Sequence, residues 1–139
     1  MEYRVFFDKI IARIDRGEEI CEQLKVICEK EGVTLASVSA IGAVGDFTVG
    51  VFNPHTKEYK SNTFTGDYEI VSLLGNVTEP DGKFYSHLHM SAGDEEGKVF
   101  GGHLNRAVVS ATCEMVIEVM DGRVDRKFSE EIGLNLLEF

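Results

Sequence analysis

The chain has 139 residues, with 24 acidic against 14 basic side chains and a formal net charge of −10 at pH 7. That length suits a single domain over 1–139 with a real core, and 43% hydrophobic with 9% aromatic residues excludes a disordered chain. The acidic balance opposes nonspecific nucleic-acid binding, which rests on Lys and Arg contacts to phosphate, and no apolar run reaches bilayer-crossing length.

In chain order, Tyr3 to Ile14 reads as one or two strands, YRVFF and then KIIARI. The same N-terminal stretch is acidic at once and has no small-residue cleavage site, so it is not a secretory signal, and a soluble cytoplasmic protein is expected. Asp15 as N-cap and Glu18 as its capping-box partner predict a helix over about residues 17–31. Ile20, Leu24, Ile27 and Cys28 form its apolar stripe, Lys30 falls in its last turn and Gly32 ends it. Cys21 and Cys28 lie roughly 10 Å apart along that helix, too far for a disulfide. With Cys113 in an apolar strand, all three read as buried thiols of a reducing compartment.

Strands follow: Thr34 to Ile41, Asp46 to Phe52, Lys57 to Phe64, Tyr68 to Val77, Phe84 to Met90, Lys98 to Leu104 and Ala107 to Met120. Glycines separate the first two, and Asn53-Pro54-His55-Thr56 and Glu79-Pro80-Asp81-Gly82 read as turns. In the long strand Val109, Ala111, Cys113, Met115, Ile117 and Val119 share one face. Asp121-Gly122 is a tight-hairpin signal leading to Arg123–Phe128, and the apolar ending EIGLNLLEF is expected to dock. The sum is an α+β domain with a mostly antiparallel sheet. One helix cannot cover such a sheet, so either a second copy buries the rest, in a homo-oligomer, or the sheet rolls up on itself.

Three of the four histidines fall in the run GKFYSHLHMSAGDEEGKVFGGHL. Residues i and i+2 of a strand face the same way, so His87 and His89 share a side. A hairpin centred near Glu95 then sets His103 opposite His87 and Gly101 opposite His89, and three imidazoles converge on one ion. A one-residue slip would break the site; a two-residue slip would keep it. Three histidines without a fourth protein ligand are the form of a catalytic zinc site, in which zinc lowers the pKa of a bound water toward neutrality. Glu95 and Glu96 in the turn are candidates for base or proton shuttle, and Arg106 for holding an anionic group. His55, in the Asn-Pro turn, reads as exposed and unrelated.

The segment Gly82 to Leu104, with His87-Leu88-His89, the acidic turn Gly93-Asp94-Glu95-Glu96-Gly97 and Gly101-Gly102-His103, resembles the signature of the PPC (plants and prokaryotes conserved) domain family. The similarity runs on through the helix start Gly17-Glu18-Glu19, the segment Ile41-Gly42-Ala43 and the ending Gly133 to Leu137. The resemblance implies an α+β fold assembled as a homotrimer. It also implies a zinc site of His87, His89 and His103 near a cleft between subunits; a small-molecule ligand at that cleft is a further expectation. Plant members of the family carry AT-hook motifs that bind DNA, and stand-alone prokaryotic members are often labelled DNA-binding. This chain has no Arg-Gly-Arg-Pro core, so that label fits it poorly. Three roles follow as expectations: a trimeric metal- or ligand-binding domain, a zinc-dependent hydrolase or lyase acting on a small polar substrate, and a DNA-associated regulatory protein.

Overall fold

The computed structural model describes residues 1–139. Its elements are β1 (Glu2–Phe6), β2 (Lys9–Asp15), α1 (Ile20–Glu31), β3 (Ala36–Asn53), β4 (Glu58–Thr78), β5 (Tyr85–Gly93), β6 (Val99–Val119), β7 (Asp125–Ser129) and β8 (Leu134–Glu138). Six strands form one antiparallel sheet in the order β1-β2-β6-β3-β4-β5, and β5 also pairs with β6. That last pairing closes β3, β4, β5 and β6 into a ring. β1 and β2 extend the sheet along the second half of β6, where Lys9 to Asp15 pair with Glu118 to Thr112. The sheet therefore does roll up, and the α+β class expected from the sequence holds. No helix is long and apolar enough to cross a membrane.

The strands are longer than the sequence suggests, because glycines read as breaks are bulges. β3 runs unbroken from Ala36 to Asn53, with register shifts beside Gly42 and Gly45. A Cβ on Gly42 would fall 2.7 Å from the Cα of Cys113, so glycine permits the close approach of β6 there rather than a turn. β4 likewise joins the two expected strands 57–64 and 68–77, and β6 joins 98–104 and 107–120. The bulge facing Gly42 and Val44 also turns Ala111 outward, against the face assignment made from alternation.

The helix starts three residues later than expected. Its N-cap is Glu19, whose side chain accepts from the Glu22 amide at 2.8 Å. The capping-box residues serve the end of β2 instead. The Asp15 amide donates to Glu18, and both carboxylates accept from the Met1 amino group, at 2.7 and 2.8 Å. Residues 17 and 18 are held to β6 by backbone bonds to Val109, which prevents them from joining the helix. Gly32 ends α1 in the left-handed conformation, as expected. Ile20, Leu24, Ile27 and Cys28 bury their side chains in a core of 26 apolar residues that fills the rolled sheet and the space beneath α1. Burial pushes the Cys28 and Cys113 thiols up to about 12, which makes them unreactive near neutrality.

The Asp121-Gly122 segment does not close a hairpin onto β6. Met120 donates its amide to Leu35, and Thr34 donates its hydroxyl to the Gly122 carbonyl. These bonds lead the chain off the sheet. β7 then pairs only with β8, as a separate two-stranded unit.

Candidate metal centre

Alternation along β5 decides where the histidines point. Leu88, Met90 and Ala92 are buried in the core, which turns Tyr85, His87 and His89 to the outer face. Leu104 is buried on β6, so its neighbour His103 also faces outward. The register differs from expectation by two residues: His89, not His87, pairs with His103, while Gly101 faces Ser91 and Gly102 faces Met90. The cause is the turn. Asp94 accepts at its carbonyl from Gly97 and at its side chain from the amides of Glu96 and Lys98, which moves the centre of the hairpin toward Glu96. An even shift preserves the face, and the three imidazoles meet regardless.

Ring centroids are 5.2 Å apart for His87–His89 and His87–His103, and 5.6 Å for His89–His103. One ring nitrogen from each lies within 4.8 Å of the other two. That is within a small side-chain rotation of the spacing needed around an ion with bonds of about 2.0–2.1 Å. Burial, and then the neighbouring imidazoles, hold His87 and His103 below the usual histidine range; Arg126 adds to the effect at His87. Both side chains are therefore in the neutral, ligand-competent form at neutral pH. The donor set fits a zinc-type cation.

Gly101 and Gly102 contribute through close strand packing. A Cβ on Gly101 would meet the Met90 carbonyl at 2.7 Å, and one on Gly102 the Gly50 carbonyl at 2.6 Å. Their role is to let β6 fit between β5 and β3, which brings His103 to the other two rings.

The site opens into a cleft of about 1170 Å³ between the outer sheet face and the β7–β8 hairpin. On one side Tyr59 sets the edge of its ring toward His103, with centroids 6.2 Å apart, and donates its hydroxyl to Asn105 at 2.6 Å. On the other, Arg126 from β7 lies over the Tyr85 ring at 4.5 Å. Arg126 donates to Thr78 Oγ1 at 2.9 Å, to Asn76 Oδ1 at 2.8 Å and to the Asn135 carbonyl at 3.2 Å, and so ties the hairpin to the sheet. Asn76 is the direct cross-strand partner of His87.

The structure does not bring Glu95, Glu96 or Arg106 to the imidazoles. Asp94, where the turn begins, is already about 17 Å along the strand from His89. Glu95 and Glu96 line a separate acidic hollow with Asp67, and Glu96 pairs with Lys98. Arg106 is bound to Asp46 at 2.7 Å and lies beyond the register shift at Asn105. His55 is exposed, with its amide bound to Asn53. The polar residues that do flank the site, Tyr59, Asn76, Asn105 and Arg126, escaped sequence reasoning. Only Asn76 carried a usable signal, through its place in the strand preceding the His-x-His strand.

A family model of the Plants and Prokaryotes Conserved (PCC) domain matches residues 1–121. The chain is 33% identical to a Bacteroides thetaiotaomicron protein named as a candidate for DNA binding, with a TM-score of 0.96 over 99% of this chain and 96% of that one. It is 34% identical to a protein of Archaeoglobus fulgidus described as metal-containing, with a TM-score of 0.89 over 99% and 97% of the two chains. With a plant- and prokaryote-conserved protein of Pyrococcus horikoshii it shares 36% identity and a TM-score of 0.87, over 99% and 95%. No curated protein gives a significant match.

Proposed function

This chain belongs to the Plants and Prokaryotes Conserved domain family, and from that premise we propose that it is a homotrimeric zinc-binding protein that takes a small molecule at an open coordination position in the cleft. The observation that carries the reading is the convergence of three imidazole donors, from His87, His89 and His103, with no fourth metal-ligating side chain in the group. Structural zinc sites close with four protein ligands; three leave room for a guest. A bound ion of this kind supplies Lewis acidity and lowers the pKa of a ligated water toward neutrality. The chain's own part is to keep His87 and His103 neutral, to set Tyr59, held by Asn105, beside His103, and to roof the cleft with the hairpin that Arg126 anchors. The metal-containing description of the Archaeoglobus fulgidus protein supports the same reading.

Metal analysis of protein purified without added metal tests it. Near-stoichiometric zinc is expected in the parent, with a large loss in His87→Ala and in His103→Ala; equal metal in all three would remove the site.

Apolar residues left on the outer surface support the trimer. Ile41, Val71, Leu74 and Val99 are each more than half exposed, Val71 and Val99 both lie against Gly93, and Leu74 is the strand partner of His89. Patches of that kind mark protein contacts. Sedimentation at micromolar concentration is expected to give three chains per particle, and a monomer would contradict the assembly.

The zinc-dependent hydrolase or lyase reading draws on the same open position, but its proton carrier is not Glu95 or Glu96. Tyr59, oriented by Asn105 beside His103, carries a hydroxyl, lines the cleft and is the candidate to test for that task. A DNA-associated role has the names of two structural neighbours behind it, but the net charge of −10 stands against it. No mobility shift with duplex DNA at low salt is expected.

A further inference from the structure

Twenty-four of the 139 residues are acidic, yet none of the eighteen that line the cleft is Asp or Glu. The side chains there are neutral or cationic, and the one fixed charge is Arg126. Its guanidinium has five N–H donors, of which three are used by Thr78, Asn76 and Asn135. Two are left over. They sit one hydrogen bond beyond Asn76, the residue directly opposite His87, and the stacked Tyr85 ring holds the plane of the guanidinium in place. Apolar side chains line the rest of the cleft, among them Phe52 from β3 and Ile132, Leu134 and Leu137 from β8 and the turn before it.

We infer that the ligand of this cleft is an organic acid with an apolar body: its carboxylate lies between the three-histidine centre and the free donors of Arg126, and its hydrocarbon part lies along Phe52, Leu134 and Leu137. This rests on the three histidines holding a metal ion. The absence of carboxylates is what selects the charge. A lone Glu or Asp at the wall would cancel the field of Arg126 and repel the anion, and the rest of this strongly acidic surface repels anions already. The apolar wall selects the body, since each buried methylene adds to affinity while a bare inorganic anion gains nothing there.

The experiment uses the full chain loaded with cobalt(II), with metal content measured first. Acetate, hexanoate and hexylammonium are titrated by calorimetry and by the visible absorption of the cobalt ion. Hexanoate is expected to bind about tenfold or more tighter than acetate, to perturb the cobalt spectrum, and to outcompete hexylammonium, which is expected not to bind. Arg126→Gln is expected to weaken hexanoate about tenfold, as loss of a charge-assisted contact does, with metal content unchanged. Arg126 also anchors the hairpin, so Asn76→Asp provides a second arm: it keeps the hydrogen bond to Arg126 while neutralising its charge, and the same weakening is expected. Leu134→Ser is expected to lower hexanoate affinity and leave acetate alone. Stoichiometric cobalt with no binding of either acid overturns the inference and spares the metal centre. Equal affinity for acetate and hexanoate overturns it too, and would mean that another copy of the chain covers the apolar wall. Failure to load cobalt would remove the metal reading and this one together.

Discussion

The β5–β6 hairpin carries two clusters of ionisable side chains, one at each end, and they have opposite fates. At the tip, Asp94, Glu95 and Glu96 are rich in charge but already occupied: Asp94 accepts from three backbone amides and Glu96 pairs with Lys98. Toward the other end, His87, His89 and His103 converge, and neither the His87 nor the His103 ring owes its shifted pKa to a hydrogen bond. Density of polar groups does not make a site. Donors that converge with their partners missing do, because only they gain from a guest.

The largest effect that separates the two ends is loss of a ligand. His103→Ala is expected to lower zinc affinity by more than about 100-fold, beyond the range for losing a group that only hydrogen-bonds to a ligand, as read by competition with a chromogenic chelator. A value near the parent's would put the two clusters on an equal footing. Acid is the next lever. The three imidazoles must be neutral to bind metal, and His87 and His103 have their pKa values depressed below 6.5. Zinc affinity is therefore expected to stay flat down to about pH 6.5 and to fall steeply only below it. The sign for the metal-free fold follows: the unfolded chain takes up protons first, so stability is full above about 6.5 and declines as pH falls through that value toward the lower folded pKa values. Urea midpoints measured from pH 8 to 5 check this. Loss of stability on raising the pH instead would contradict the depressed values.

Backbone packing comes next. Gly102→Ala places a methyl group against the Gly50 carbonyl between two strands and is expected to cost about 1–3 kcal/mol, together with metal affinity, because β6 must move away from β5. Gly97→Ala at the tip meets no atom but sits at φ +78°; about 1–2 kcal/mol is expected from the left-handed conformation alone, with metal affinity unchanged. Thermal denaturation combined with chelator competition distinguishes the two.

Much of the site was legible because strand alternation has period two. His87 and His89 had to share a face, and the turn misplaced by two residues still returned His103 to that face. What was not legible came from elements that meet only in three dimensions. Arg126 reaches the site because β7 leaves the sheet, and the local signal at Asp121-Gly122 pointed to a hairpin onto β6 instead. Tyr59 lies some 40 residues from His103 and is brought beside it by the pairing of Gly50 with both Ser61 and His103. Gly42 and Gly45 read as breaks because a glycine in a bulge and one in a turn look alike until the neighbouring strand is known. Asp15 and Glu18 form a capping-box pair in sequence, yet the helix starts later, because backbone bonds of Gly17 and Glu18 to Val109 hold that segment to β6.

The smallest effect is the sharpest test of the contrast, since it asks the acidic tip to do nothing. Glu95→Gln and Glu96→Gln remove charges that are exposed and about 17 Å or more of strand away from His89. The Glu96–Lys98 pair is a surface pair, of the sort worth about 0–1 kcal/mol, and the backbone bonds that shape the turn come from Asp94, which both variants keep. Stability is therefore expected to change by no more than about 0.5 kcal/mol. Zinc affinity and its pH dependence are expected to match the parent, since the shifts at His87 and His103 come from burial and then from neighbouring imidazoles, with Arg126 adding at His87, and not from the tip. A fall in zinc affinity in either variant would mean that the tip folds back over the imidazoles, or over those of a neighbouring copy, and the two ends of the hairpin would then form one site.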